Sequence, residues 1–296
     1  MKTKILLLII SLIISSTSNA QVLTMLDNYG NSDSDRSQNV ALDDEGNIYI
    51  TGSFHSPTLN LGGITLVNSG GGATNDVFVA KFDPTGVPLW AVSSYGPNAE
   101  ETAVDIAIDD DLVYIIGSFE FDNIYFDPST ILSNSGGSDF FVASFKKSTG
   151  SYVWSFTNDE IAGNADLNEF GEGIAVTEDG ELHIIGSFNS DYLDCDFYSL
   201  TNSLTGSGTY DIFMGTLNVS AISYSFNWFH NPDGTGNDFG KDIAIDLEGN
   251  VYSCGYFYSE QILFDDASPS SLLLNTDISG STSDIFTVNF DSGSFI

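Results

Sequence analysis

Residues 242–257 read DIAIDLEGNVYSCGYF, and the same pattern stands at 39–54 (NVALDDEGNIYITGSF), 105–119 (DIAIDDDLVYIIGSF) and 173–188 (GIAVTEDGELHIIGSF). The glycine before the final Ser/Tyr-Phe falls at Gly52, Gly117, Gly186 and Gly255, at spacings of 65, 69 and 69. A second block follows each copy: NDVFVAKFD at 75–83, SDFFVASFK at 138–146, YDIFMGTLN at 210–218 and SDIFTVNFD at 283–291. A third, Trp-bearing block follows three of them: PLWAVSSYG at 88–96, YVWSFTND at 152–159 and FNWFHNPDG at 226–234. Self-similarity at a fixed period of this size marks a repeat architecture. In Ile48-Tyr49-Ile50-Thr51 and Val77-Phe78-Val79-Ala80, β-branched and aromatic residues run with little polar interruption, which suits strands covered on both faces. Asp43-Asp44-Glu45-Gly46-Asn47 and Asp246-Leu247-Glu248-Gly249-Asn250 are Asx and Gly turns that close hairpins between such strands. The alternating stretch Leu59 to Leu66 between the first two blocks reads as an extra hairpin.

A single sheet of this kind cannot bury both faces alone, so neighbouring sheets must stack, and radial stacking of four-stranded units is a β-propeller. The fold expected is therefore all-β: a propeller of four repeats of about 67 residues. The repeats run approximately over 31–96, 97–160, 161–234 and 235–296, the last completed by 21–30. Thr24–Gly30 (TMLDNYG) aligns with Trp90–Gly96 (WAVSSYG), and the fourth repeat reaches Ile296 before its Trp strand, so the N-terminal strand is expected to close the last sheet. Composition agrees with an all-β chain: 29 Gly, 22 Phe and 13 Tyr supply turns and ample apolar surface, which argues against disorder.

The blocks together resemble the bacterial secreted β-propeller repeat family, known as SBBP repeats. The likeness rests on Ile-Ala-Ile-Asp-x-x-Gly-Asn-Val-Tyr-x-x-Gly-x-Phe, then Ser-Asp-x-Phe-Val-Ala-x-Phe-Asp, then Gly-x-x-x-Trp, and extends over residues 24–296. It implies the fold and an extracellular binding or scaffolding role with no shared active site.

Residues 1–20 have the layout of a secretory signal peptide: Lys2 and Lys4, the apolar run Ile5–Ile14, and small residues Ser18 and Ala20 before the cut. The run is too short to span a bilayer, so cleavage after Ala20 is expected, leaving one domain over 21–296. The expected address is secreted, periplasmic or cell-surface, with no membrane span. Seven Lys and Arg stand against 41 Asp and Glu, a formal charge of −34 that falls to −36 without Lys2 and Lys4. Nucleic acid is excluded as a partner, because phosphate is held by clustered cations. Cys195 and Cys254 stand at repeat positions that are otherwise mostly apolar, so both are read as buried free thiols rather than as a disulfide.

His55, His183 and His230 occupy no equivalent positions, and His183 replaces the Tyr of Tyr49, Tyr114 and Tyr252, so it reads as a strand side chain. There is no His-Glu-x-x-His, Gly-x-Ser-x-Gly or phosphate loop, hence no support for zinc, serine-hydrolase or nucleotide chemistry. Two series of acids recur in all four copies: Asp35, Glu101, Glu169 and Asp238, six residues before the repeated Ala, and Asp76, Asp139, Asp211 and Asp284 at the second block. Their ordinary use is to accept backbone N–H bonds at strand entrances. The alternative is that Asp35, Glu101, Glu169 and Asp238 ring a channel mouth and collect calcium, the one cofactor considered. Tyr125, Tyr192, Phe197 and Tyr198 are read as packing residues, with sugar stacking as the alternative. The function expected is a non-enzymatic extracellular module binding a protein, glycan or matrix ligand. The alternatives are a polysaccharide-acting propeller enzyme with a carboxylate pair and a structural part of a larger surface protein.

Overall fold

Three of the four hairpins between first and second strands begin with a carboxylate, and the third begins with Thr177, whose hydroxyl accepts the Glu181 N–H at 2.9 Å. Asp43 Oδ1 accepts the backbone N–H groups of Glu45 and Asn47 at 3.1 and 2.9 Å, and Tyr49 donates its hydroxyl to Oδ2 at 2.9 Å. Gly46 sits between them at φ +79°, where other residues are strained. Asp109 takes the Tyr114 hydroxyl at 2.6 Å and Asp246 that of Tyr252 at 3.1 Å, so the same clasp recurs.

The structure, a computed structural model, describes residues 27–158, 167–195, 198–202, 208–264, 272–277 and 280–290. Among them every element is a β-strand and every pairing is antiparallel. The first sheet runs Asp35–Leu42, Ile48–Phe54, Asp76–Phe82, Pro88–Ser93 in spatial order. The second runs Glu100–Ile108, Leu112–Glu120, Ser138–Lys146, Tyr152–Thr157, and the third Glu169–Val176, Glu181–Phe188, Asp211–Val219, Tyr224–His230. The fourth has three strands among the described residues: Asp238–Ile245, Val251–Phe257 and Asp284–Phe290. Between second and third strands each segment inserts a two-stranded hairpin, as at Thr58–Leu61 with Ile64–Val67.

The repeated glycine has a steric cause. Each first strand carries a bulge, between Ser37 and Asn39, Ala103 and Asp105, Gly171 and Gly173, Gly240 and Asp242. The bulge presses a carbonyl onto the glycine opposite, so that a Cβ at Gly52, Gly117, Gly186 or Gly255 would lie 2.0–2.1 Å from that oxygen. Only glycine fits.

The sheets lie side by side in chain order, first strand against first strand, and three apolar layers fill the gaps. The trailing face of the first sheet (Tyr49, Val77, Val79, Trp90) meets the leading face of the second (Val113, Ile115, Phe141, Phe145) and its hairpin (Ile124, Phe126). Equivalent layers join second to third and third to fourth. Each tryptophan reaches across a gap: Trp90 donates Nε1–H to the Lys147 carbonyl at 3.1 Å, Trp154 lies 5.0 Å from Tyr224 and Trp228 6.1 Å from Phe290, measured between ring centroids. Burying such rings contributes on the order of 2 kcal/mol each.

Among the described residues the row is open at both ends. Among the described residues the leading face of the first sheet is covered by its own hairpin, Leu59, Leu61 and Leu66 on Phe54, Phe78 and Phe82, and by Tyr29. The expected N-terminal strand is not formed by residues 27–30, whose Tyr29 stacks on Phe82 of the first sheet at 5.4 Å. Residues 21–26 lie outside the described residues. Neither cysteine forms a disulfide among the described residues, and only Cys195 is buried. Cys254 is half-buried because it sits on the trailing face of the fourth sheet, on which no further sheet packs among the described residues.

Candidate functional site

Strand direction sorts the acids onto two rims. First and third strands begin at one rim, the entry rim; the turns that join first to second strands lie at the other.

At the entry rim the two recurring series clasp the ends of the inserted hairpins. Asp35 accepts the Ser56 N–H and hydroxyl at 3.0 and 2.8 Å, and Asp238 accepts those of Ser259 at 3.1 and 2.5 Å. Asp76 takes Ser69 N–H and Oγ at 2.7 and 3.0 Å, Asp139 takes those of Ser135 at 2.6 and 2.7 Å, and Asp284 those of Thr276 at 2.8 and 3.0 Å. Glu101 reaches back to the preceding sheet, to the Ser94 hydroxyl and to the Val77 N–H at 3.3 Å.

The series therefore meet at the gaps between sheets. Burial pushes the Glu101 carboxyl well above its usual range against the pull of Ser94, and the Asp76 charge adds to it. Burial likewise raises Asp76 to about 6, opposed by its bonds from Ser69. Glu169 is raised to about 8 by burial, opposed by a bond from Ser190 and reinforced by the neighbouring Asp139. A second carboxylate in the same dry site disfavours the charge of the first. Sequence reasoning identified both series but not that one meets the other.

The structure does not bring Asp35, Glu101, Glu169 and Asp238 together. Asp35, Glu101 and Asp238 are each held by a serine and by backbone donors and Glu169 by Ser190, and among the described residues no three His, Cys, Asp or Glu side chains form a metal-binding group. The buried pairs do not suit a glycan either, since Asp139 and Glu169 are 0% and 3% exposed. Tyr125 stacks on Tyr95 at 5.3 Å and Tyr198 lies 5.9 Å from Phe226, while Tyr192 is exposed; Phe197 lies outside the described residues. His183 is a buried strand residue paired with the Thr216 hydroxyl at 2.9 Å, and burial lowers it to about 4 despite the charge of Asp179.

The turn rim is different in kind. The first-to-second-strand turns of three sheets converge on a concave mouth of about 440 Å³, lined by Asp43, Asp44, Asp109, Asp110 and Glu178 around Lys147. The lysine is already engaged, donating Nζ–H to the Asp109 carbonyl at 3.0 Å. Burial disfavours the Asp43 charge, but bonds from Asn47 and Tyr49 hold its carboxyl down at about 2. Glu178 also borders a second cavity of about 480 Å³ between the third and fourth sheets, with Asp179, Glu181, Asp246 and Glu248. Asp246 is held below the usual range by its bond from Asn250, and the adjoining Leu247 is 94% exposed. Anionic side chains from separate repeats thus share one concave rim. The sequence marks them only as turn residues.

Comparison with curated proteins gives no match. The segment that opens the row, with its strand entrance, bulge, Asx turn and second strand, does have a counterpart: residues 28–53 match the family model of the SBBP beta-propeller repeat.

Proposed function

We propose that the four sheets are consecutive blades of a secreted β-propeller whose work is binding, and that its ligand is a lysine- or arginine-rich peptide segment of an extracellular protein, seated on the turn rim. The observation that carries this is the convergence of Asp44, Asp109, Asp110 and Glu178 around an already engaged Lys147, Asp43 in the same mouth being buried against Lys81 at 3.7 Å. Carboxylates fixed by their own turns are preorganised, so a cationic side chain gains attraction without ordering them first. Exposed Leu247 beside the second cavity offers an apolar contact to the same ligand. The chain needs no cofactor in this reading and performs no catalysis: none of the nucleophile or metal motifs stands in its sequence, and its buried carboxyl pairs are closed to substrate.

The test is calorimetric titration with an octalysine peptide, an octaglutamate peptide and a neutral oligosaccharide. Octalysine alone is expected to bind, and the triple variant Asp44→Asn, Asp110→Asn, Glu178→Gln is expected to weaken it about tenfold or more. Binding of the oligosaccharide with no response to octalysine would overturn the assignment.

A further inference from the structure

The two open ends of the row are the two halves of a contact that the chain already makes three times. At the leading face, Ile106, Ile174 and Ile243 of the second, third and fourth sheets are 5%, 3% and 6% exposed, each under the sheet before it. Their counterpart in the first sheet, Val40, is 58% exposed, and Leu42 on the same face is 66% exposed. At the trailing face, Val77, Phe140 and Ile212 of the first three sheets are all 0% exposed, each under the sheet after it. Their counterpart in the fourth sheet, Ile285, is 85% exposed. Tyr252 is 43% exposed where Tyr49 and Tyr114 are 0%.

The acids at the entry rim give the same answer independently. Asp76, Glu101, Asp139, Glu169, Asp211 and Asp238 are at most 3% exposed. The first member of one series, Asp35, and the last of the other, Asp284, are only half-buried. They are the pair that a fourth gap between sheets would contain.

We infer that a second copy of this chain fills both ends, the trailing face of each fourth sheet packing on the leading face of the partner's first sheet, so that two copies close head to tail. The occupant is a second copy because each face is complementary to the other by the chain's own repeat, as three buried examples demonstrate, and one copy presents both. The centres of the faces, Val40, Leu42, Ile48 and Ile50 on one side and Tyr252, Ile285 and Thr287 on the other, carry no charge, so in a chain of formal charge −34 the carboxylates that meet at the contact are Asp35 and Asp284 at its rim, the same kind of pair that the three gaps within the chain already bury. A heterologous contact of this kind closes only if the rotation permits; otherwise it propagates into a fibre.

Light scattering on the purified chain at 100 μM is expected to give twice the chain mass, with Val40→Asp and Ile285→Asp each giving monomer. Both positions are exposed, so both variants are expected to keep the wild-type circular dichroism. Mixing the two variants is expected to restore a dimer, through the single gap in which the intact trailing face of Val40→Asp meets the intact leading face of Ile285→Asp. A monomeric wild type, a Val40→Asp variant that remains dimeric through paired fourth sheets, or an open-ended polymer would each overturn the proposal.

Discussion

Glu169 sets a pH dependence that can be worked out from its surroundings. Its carboxyl is buried beside Asp139 and raised from 4.5 to about 8, so the folded protein holds a proton there that the unfolded chain has released. A group raised in this way contributes its full stability below pH 4.5 and loses it as the pH climbs towards 8. Each pH unit across that window is worth about 1.4 kcal/mol, so the group removes up to about 5 kcal/mol between pH 4.5 and 8. Glu169→Gln keeps the shape and a hydrogen-bond donor towards Asp139 but has no proton to lose. Urea unfolding followed by circular dichroism is expected to show wild type losing several kcal/mol more than the variant between pH 5 and pH 8. At pH 8 the variant is expected to be the more stable of the two. His183, lowered to about 4, contributes the opposite slope below its ordinary 6.5, but it is common to both proteins and leaves their difference untouched. Parallel profiles for the two proteins across pH 5–8 would refute the reasoning.

Gly117→Ala places a Cβ 2.0 Å from the Thr102 carbonyl and is expected to cost about 3 kcal/mol in the same unfolding assay. Asp105 accepts Asn39 Nδ2–H at 2.6 Å and the Ile174 N–H at 2.8 Å, tying three sheets together, so Asp105→Ala is expected to lower stability by about 2 kcal/mol, measured at pH 8 where the carboxyl, raised to about 6 by burial, is ionised. Millimolar calcium is expected to leave the melting temperature unchanged, because Asp35, Glu101 and Asp238 are each committed to serine and backbone donors and Glu169 to Ser190; a rise of several degrees would show a bound ion. Removal of residues 21–26 is expected to lower the melting temperature by several degrees if that segment supplies the missing strand of the fourth sheet.

The strands were legible because their causes are local. The run Ile48 to Phe54, the Asp43–Asn47 turn and the Leu59–Leu66 hairpin each follow from residues within a dozen positions, and the structure forms all three. Gly52 was visible as a recurrence, but its reason, the carbonyl at the bulge across from it, needs the pairing register. The recurring acids were visible too, while the meeting of Asp76 with Glu101 and of Asp139 with Glu169 depends on how one sheet lies on the next. The use read first for the four equivalent acids, accepting N–H bonds at strand entrances, is what Asp35, Glu101 and Asp238 do, whereas the gap between sheets that buries Glu101, Glu169 and Asp238 needs the stacking. The turn rim was least legible, because Asp44, Asp110 and Glu178 converge only once three sheets are in place. Cys254 is the converse case: its position in the repeat implies burial, and the open end of the row withholds it.

The binding of a basic segment at the turn rim is measured most directly by titrating octalysine into the wild-type chain over a range of ionic strength. Charges on an exposed concave rim are screened over about 10 Å at 0.1 M salt, so affinity is expected to fall steeply between 20 and 300 mM sodium chloride. The dissociation rate of the complex is expected to change less than its association rate. No binding at 20 mM salt, or an affinity that does not vary with salt, would contradict the account.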